Sequence, residues 1–168
     1  MTELPGLFDV RVKARSIAYL FAAGASLGLL TLAFPHPDEV RDVPLIVLAC
    51  VAYLIAATVW LLADRLSAWH IHAFLVSGTL IISLANHYAG PATLYPVLYM
   101  WTALYAFYFF PTRAALVHAG LIALSFAVVL AVQDADMVIV RWLLAVGTPL
   151  VAGILISRLL GGLQHHAL

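Results

Sequence analysis

Charged side chains are scarce in this sequence of 168 residues: Asp, Glu, Lys and Arg make up 10%, whereas 65% of the residues are hydrophobic. The mean hydropathy is +1.06, and a water-soluble domain of this size could not bury so much apolar surface. The formal net charge is zero and no basic block is present, so nucleic acid is not an expected partner. The composition therefore predicts an all-α integral membrane protein whose main partner is the lipid bilayer.

Residues that support covalent or metal chemistry are also scarce. Cys50 is the only cysteine, so no disulfide can form within the chain, and its apolar neighbours predict a small buried hydrophobe. The sequence contains no HExxH motif, no Cys/His cluster and no set resembling a nucleophile, base and orienting group. We therefore expect no catalytic residue in this chain and no bound cofactor.

Six apolar stretches are long enough to cross all or most of a hydrocarbon core of about 30 Å. Proline, glycine and charged residues separate these stretches, and the connections between them are short. Short connections predict a compact bundle in which helices that follow each other in sequence are antiparallel neighbours. After a tail at residues 1–13, the predicted spans cover residues 14–34, 43–63, 68–86, 94–110, 114–132 and 138–160.

The basic residues favour one orientation of these six predicted spans. Arg41 and Arg141 fall on one side, whereas the other side receives the remaining six basic residues. Because cytoplasmic loops are enriched in Lys and Arg, we expect both termini to be cytoplasmic and the protein to lie in the cytoplasmic (inner) membrane. The residues on the predicted cytoplasmic side are Arg11, Lys13, Arg15, Arg65, Arg113 and Arg158.

The stretch LYPVLYMWTALYAFYFFPTR at residues 94–113 is unusually rich in aromatic side chains. Tyrosine hydroxyls need hydrogen-bond partners in hydrocarbon, because an unpaired hydroxyl there is costly. Two interpretations follow: the helix lines a polar or ligand-filled space inside the bundle, or its terminal aromatics form the interfacial belts. We expect Trp101 and Tyr105, near the middle of the membrane, to face the interior.

A ligand site is the functional hypothesis that these aromatic residues favour. The polar group Asn86, His87 and Tyr88 precedes the aromatic stretch and could form the mouth of such a site. Arg141, near the end of the sixth predicted span, must snorkel, pair with Asp134 or Asp136, or line a cavity. The candidate ligand-binding residues are Tyr95, Tyr99, Trp101, Tyr105, His87 and Arg141.

Three histidines support an alternative hypothesis. His70, His72 and His118 are predicted at similar depth on two helices, where imidazoles could hold a haem iron or another metal. A haem- or quinone-binding redox sensor is therefore the second reading. A small transporter or a membrane anchor is the third, although the spans lack the central charges that transport pathways normally need.

Gly24 and Gly28 form a small-xxx-small pattern on the first predicted span. Such patterns allow the backbones of two membrane helices to approach closely. We therefore expect these glycines at a contact between helices, either within the chain or between two copies.

Two segments resemble a known family. Residues 95–118, YPVLYMWTALYAFYFFPTRAALVH, resemble the membrane region in front of many bacterial diguanylate cyclases. Residues 158–168, RLLGGLQHHAL, resemble the short signalling helix that in those proteins leads into the GGDEF catalytic domain. The GGDEF motif and the GTP-binding residues are absent from this chain, so no catalytic residue can be carried over.

The resemblance implies a membrane sensor domain that acts as part of a homodimer. Diguanylate cyclases condense two GTP molecules across a dimer to make cyclic-di-GMP, so a membrane bundle could regulate them by setting the geometry of the two catalytic domains. In this view a small apolar or amphipathic ligand binds the bundle, and residues 161–168 begin the linker to the output domain. Gly161 and Gly162 predict a hinge there, because glycine disfavours helix by about 1 kcal/mol.

Overall fold

A computed structural model describes the backbone of residues 9–166 and the side chains of residues 9–159. Within these residues the chain is helical and contains no strand, which confirms the predicted all-α class. Residues 1–8 of the predicted tail and residues 167–168 of the predicted linker lie outside this description.

Six α-helices follow each other along the described chain. Five of them, α1, α2, α3, α5 and α6, are long and apolar enough to cross a membrane. Short 3₁₀ helices at Ala63–Arg65 and Tyr95–Leu98 precede α3 and α4. The α-helices are α1 Val10–Leu32, α2 Asp42–Leu61, α3 Ala68–Ala89, α4 Tyr99–Phe109, α5 Thr112–Val132 and α6 Val138–His166.

The aromatic stretch is not the single long helix predicted at residues 94–110. Its first residues form the 3₁₀ helix, which contains Pro96 near its start, and α4 then has only 11 residues. Proline has no N–H to donate within a helix, so it is best tolerated in a first turn. Phe110 is extended because it precedes Pro111, and this extended residue ends α4.

The last helix is longer than predicted. α6 has 29 residues and runs through Gly161 and Gly162 to His166. Its part that is apolar enough to cross a membrane, Val138–Leu159, agrees with the predicted span at residues 138–160, and the hinge at the two glycines stays a prediction. Its length is about 44 Å at about 1.5 Å per residue, which exceeds a hydrocarbon core of about 30 Å. The penalty of about 1 kcal/mol for each glycine is too small to break a helix that its neighbours continue.

α4 lies in the middle of the bundle, where it contacts α1, α3, α5 and α6. Tyr105, Ala106 and Phe107 belong to one buried core that also contains residues of α1 and α2. Tyr99 and Ala103 belong to a second core that α4 shares with α5. One side of α4 is therefore packed in the interior, whereas Leu94, Val97 and Tyr108 of the aromatic stretch are exposed.

Small residues dominate the contact between α1 and α2. Buried alanines from both helices belong to the same core, and this lets the two backbones approach closely. Cys50 lies on the opposite face of α2 and is exposed, so its predicted burial is wrong. The buried alanines are Ala14, Ala18 and Ala25 on α1 and Ala49, Ala52 and Ala56 on α2.

A close contact at Gly153 holds α6 against α4, which gives the first testable prediction. A Cβ atom at Gly153 would overlap the ring of Phe107, which is itself buried. We expect Gly153→Ala to destabilise the folded chain by about 1–3 kcal/mol, because the ring must shift within a packed core. The measurement is the thermal unfolding midpoint of the purified protein in one detergent.

Gly147→Ala on the same helix is the matched control, because its Cβ would meet no atom within 4 Å. This variant should unfold at the wild-type temperature or slightly above it, since alanine favours helix. Equal midpoints for the two variants would show that α6 does not pack on α4 through Gly153.

Candidate functional site

The bundle has two ends, which we name by one residue each. The Gly90 end holds the connections α1–α2, α3–α4 and α5–α6, and the Asp64 end holds the connections α2–α3 and α4–α5. Gly90 has φ of +82°, which favours glycine, and its N–H donates to the carbonyl of Asn86.

Three of the predicted ligand-binding tyrosines use their hydroxyls inside the protein. Tyr99 is fully buried, and its hydroxyl lies 2.7 Å from the Ser83 hydroxyl on α3. The Tyr105 hydroxyl donates to the carbonyl of Lys13 at 2.7 Å. The Tyr95 hydroxyl lies 2.7 Å from that of Thr31. These bonds attach the aromatic stretch to α1 and α3, so Tyr99 and Tyr105 are packing residues.

An apolar cleft lies between α1, α2, α3 and the aromatic stretch. Its cavity volume is about 70 Å³, and the space free of protein atoms rises to about 710 Å³ when the part at its open side is included. Tyr95 and Trp101 are the two predicted ligand-binding residues that line it. Its other walls are mostly aliphatic or small residues, and a Cβ at Gly24 or Gly28 would enter open space, whereas one at Gly78 would crowd the ring of Phe21.

Gly24 and Gly28 line this cleft and make no close helix contact within the described chain, whereas the alternative contact between two copies stays a prediction. A Cβ built at either glycine would meet no atom within 4 Å. Their lack of side chains therefore keeps space open between helices within the described chain. The small-xxx-small pattern of Gly24 and Gly28 does not distinguish a packed helix contact from a cleft between helices.

Trp101 supplies an unused donor at the cleft. Within residues 9–159, its indole N–H has no hydrogen-bond partner, whereas Trp142 donates its N–H to the carbonyl of Ala123 at 2.8 Å. This N–H is not fully buried, since the buried side-chain nitrogen without a partner among the described residues is Nδ1 of His118. A bound molecule with one acceptor atom could supply that partner.

A second pocket lies at the Gly90 end, between the end of α3, the aromatic stretch, α5 and α6. It contains about 1060 Å³ of space, including its open part. Arg141 lines it, and the guanidinium donates a hydrogen bond to the carbonyl of Pro91. The predicted ion pair of Arg141 with Asp134 or Asp136 is not present among the described side chains, where the ion pairs are Arg11–Asp64 and His36–Asp42.

The predicted polar mouth is only partly at this pocket. Asn86 lines it and is buried, whereas His87 is exposed and its ring contacts Tyr88. The Gln133 side chain donates to the carbonyls of Asn86 and His87, at 2.8 and 3.3 Å. This role of Gln133 carried no sequence signal, because a glutamine in a turn is most often solvated. The six predicted residues therefore divide between the cleft, the second pocket, the packed interior and the surface.

Two of the three predicted metal-binding histidines meet at the Asp64 end. The His72 Nδ1 and His118 Nε2 atoms are 3.0 Å apart, the two rings are parallel, and Phe110 stacks on His72. Nδ1 of His118 is buried without a partner among the described residues. His70 is separate, because it accepts a hydrogen bond from the N–H of Ser67.

This pair does not fit a haem. Two axial imidazoles bind one iron from opposite sides, so at metal–nitrogen distances of about 2 Å their nitrogens are about 4 Å apart. The hydrogen bond and the stacking of His72 on His118 leave no slot for a porphyrin between them. Within the described residues, no group of three or more His, Cys, Asp or Glu could hold a metal ion.

Comparisons of the chain with protein-family models, with curated proteins and with solved structures give no match. The functional conclusion therefore depends on the geometry of the cleft and the second pocket. The family resemblance of residues 95–118 and 158–168 remains an observation about sequence.

The bond between Tyr99 and Ser83 gives the second testable prediction. We expect Tyr99→Phe to lower the free energy of unfolding by about 1 kcal/mol, because it removes a buried hydrogen bond between α4 and α3 and changes little in shape. Tyr19→Phe is the control, since Tyr19 is 64% exposed. Denaturant titration in mixed micelles measures both variants, and equal losses would contradict the assigned role of the Tyr99 hydroxyl.

Proposed function

We propose that the chain is the membrane sensor domain of a diguanylate cyclase and that its ligand binds in the apolar cleft. The observation that carries this proposal is the cleft itself, because its lining is almost entirely apolar and comes from four segments of the bundle, namely α1, α2, α3 and the aromatic stretch. Gly24 and Gly28 hold space open there, and Trp101 offers an unpaired donor. A slender apolar or amphipathic molecule with one acceptor atom fits this chemistry.

Six membrane crossings agree best with the hydrogen bonds of the aromatic stretch. Tyr95 bonds to Thr31 and Tyr105 bonds to Lys13, so the stretch is attached near both ends of α1. Positions 13 and 31 are about 27 Å apart along a helix axis at about 1.5 Å per residue. Since α1 is long enough to cross, the stretch that runs beside it covers most of the same thickness.

The distribution of charge supports cytoplasmic termini in an inner membrane. Lys13 and Arg65 lie at the Asp64 end together with four other basic residues, whereas Arg41 and Arg141 lie at the Gly90 end. In the proposed orientation the Asp64 end is cytoplasmic, in accord with the positive-inside rule. α6 then runs toward the cytoplasm.

Contacts within the bundle connect the cleft, where the ligand binds, to α6, which leads to the output domain. Trp101 lines the cleft on α4, and Phe107 on the same helix contacts α6 at Gly153. α6 is longer than a bilayer core and continues through the segment that resembles a cyclase signalling helix. A ligand that binds one arrangement of α4 better than another would shift a two-state equilibrium and move α6. Two such chains in a homodimer would present two cyclase domains to each other.

The proposal gives the third testable prediction, a change in signal output when the cleft is filled. A diguanylate cyclase domain is joined after Leu168, and cyclic-di-GMP is measured in cells that express equal amounts of each fusion protein. Gly24→Leu and Gly28→Leu should shift the output several-fold toward one limit, because the added side chains compete with the ligand for the same space.

Gly120→Leu is the matched control, because Gly120 is exposed on α5 and a Cβ there meets no atom within 4 Å. Its fusion protein should give the wild-type output. If all the fusion proteins give the same output at equal membrane levels, the cleft does not control α6 and the sensor proposal fails.

A further inference from the structure

The second pocket at the Gly90 end combines an apolar wall with one cationic side chain. The apolar side chains come from the aromatic stretch, α5 and α6, which close around the pocket from three directions. They include Leu94, Val97, Met100, Phe126, Leu130 and Leu144. The pocket has a volume of about 410 Å³, or about 1060 Å³ with its open part, and a mainly apolar pocket of this size suits an alkyl chain.

Arg141 is the cation, and its charge has no partner within the described chain. Its guanidinium has five N–H donors, of which the structure uses one or more on a single acceptor, the carbonyl of Pro91. No carboxylate lies within 4 Å of it among the described side chains. A guanidinium in a partly apolar pocket is stabilised by an anion, and it binds carboxylates and phosphates with two parallel hydrogen bonds.

The surroundings hold Arg141 in place for such a contact. The bond to Pro91 fixes the side chain against the α3–α4 connection, and Gln133, which also lines the pocket, donates to the carbonyls of Asn86 and His87 at the end of α3. Thr93 also lines the pocket. The polar lining includes Asn86, Thr93 and Gln133 from the helix ends and connections of the Gly90 end. Phe126 and Leu130 are the buried part of the apolar lining, whereas Leu94, Val97 and Leu144 are exposed.

We infer that this pocket binds a single-chain amphiphile with an anionic head group, with the head on Arg141 and the alkyl chain against Phe126 and Leu144. The shared chemistry is a carboxylate or phosphate on one aliphatic chain, as in a free fatty acid or a lysophospholipid. The site is separate from the apolar cleft, and it does not depend on the sensor function proposed for that cleft. Ligand binding would connect α6 to the α3–α4 connection through the head group.

The test uses the purified chain in nanodiscs of zwitterionic lipid and the fluorescent fatty acid cis-parinarate as the probe. Wild type should bind the probe saturably. Arg141→Gln should weaken binding by at least about tenfold, because a charge-assisted hydrogen bond is lost. Methyl parinarate, which has no charge, should bind both proteins equally weakly. Unchanged probe binding by Arg141→Gln, or no saturable binding by wild type, would overturn the inference.

Three further variants make the result specific. Arg41→Gln removes the other arginine of the Gly90 end and should bind as wild type does. Gly120→Leu lies on α5 outside both pockets and should also leave binding unchanged, whereas Leu144→Trp narrows the pocket and should weaken binding several-fold. If Arg141→Gln does not fold, cis-parinarate binding is measured for Leu144→Trp and Arg141→Lys instead. Arg141→Lys keeps the charge and should retain most of the binding, and wild-type affinity in Leu144→Trp would by itself contradict the site.

Competition then identifies the source of the head group. Dodecanoate and dodecyl phosphate are compared as competitors of the probe on wild-type protein. Displacement by dodecanoate alone assigns a fatty acid, displacement by dodecyl phosphate alone assigns a lysophospholipid-like phosphate, and displacement by both assigns an anion site of either kind. Failure of both to displace bound cis-parinarate would contradict binding through the anionic head.

Discussion

The absence of water inside a membrane bundle is the constraint on which this structure depends. Each tyrosine of the aromatic stretch whose hydroxyl lies in the interior needs a protein hydrogen-bond partner, because an unpaired polar group in hydrocarbon is costly. Tyr99 finds Ser83 on α3, whereas Tyr95 and Tyr105 find groups near the two ends of α1. These three bonds set the depth and direction of α4, and the other helices pack around it.

The cleft and the second pocket are places where this pairing is incomplete. At the cleft, glycines leave space and Trp101 keeps an unpaired N–H; at the second pocket, Arg141 keeps an unpaired charge. Good packing does not require either the open space or the unpaired charge. A larger residue at position 24 would fill the space, and a neutral residue at position 141 would remove the charge. Unpaired donors beside open space are therefore the main physical argument that both places bind ligands, whereas the buried unpaired Nδ1 of His118 lies at the other end of the bundle from Arg141.

Hydropathy was enough to predict the helical class and five of the long helices, because apolar length is a property of the sequence alone. The start of α4 depended on Pro96, whose missing N–H favours a short 3₁₀ turn before the helix. The space at Gly24 and Gly28 could not be predicted, since the same pattern serves close packing when a partner helix is present. Arg141 was recognised as unusual, but its partner, a backbone carbonyl of another connection, has no sequence signal.

The claim that the cleft holds a ligand is the centre of this account, and the mass of the gently purified chain tests it most directly. Native mass spectrometry of wild type, released from mild detergent, should show one bound organic molecule for each chain, and an absorption spectrum should show its chromophore if it has one. Gly24→Ala combined with Gly28→Ala should lose most of that added mass, whereas Gly120→Ala should keep it. A wild-type chain that carries no added mass under conditions that preserve its fold would contradict the account.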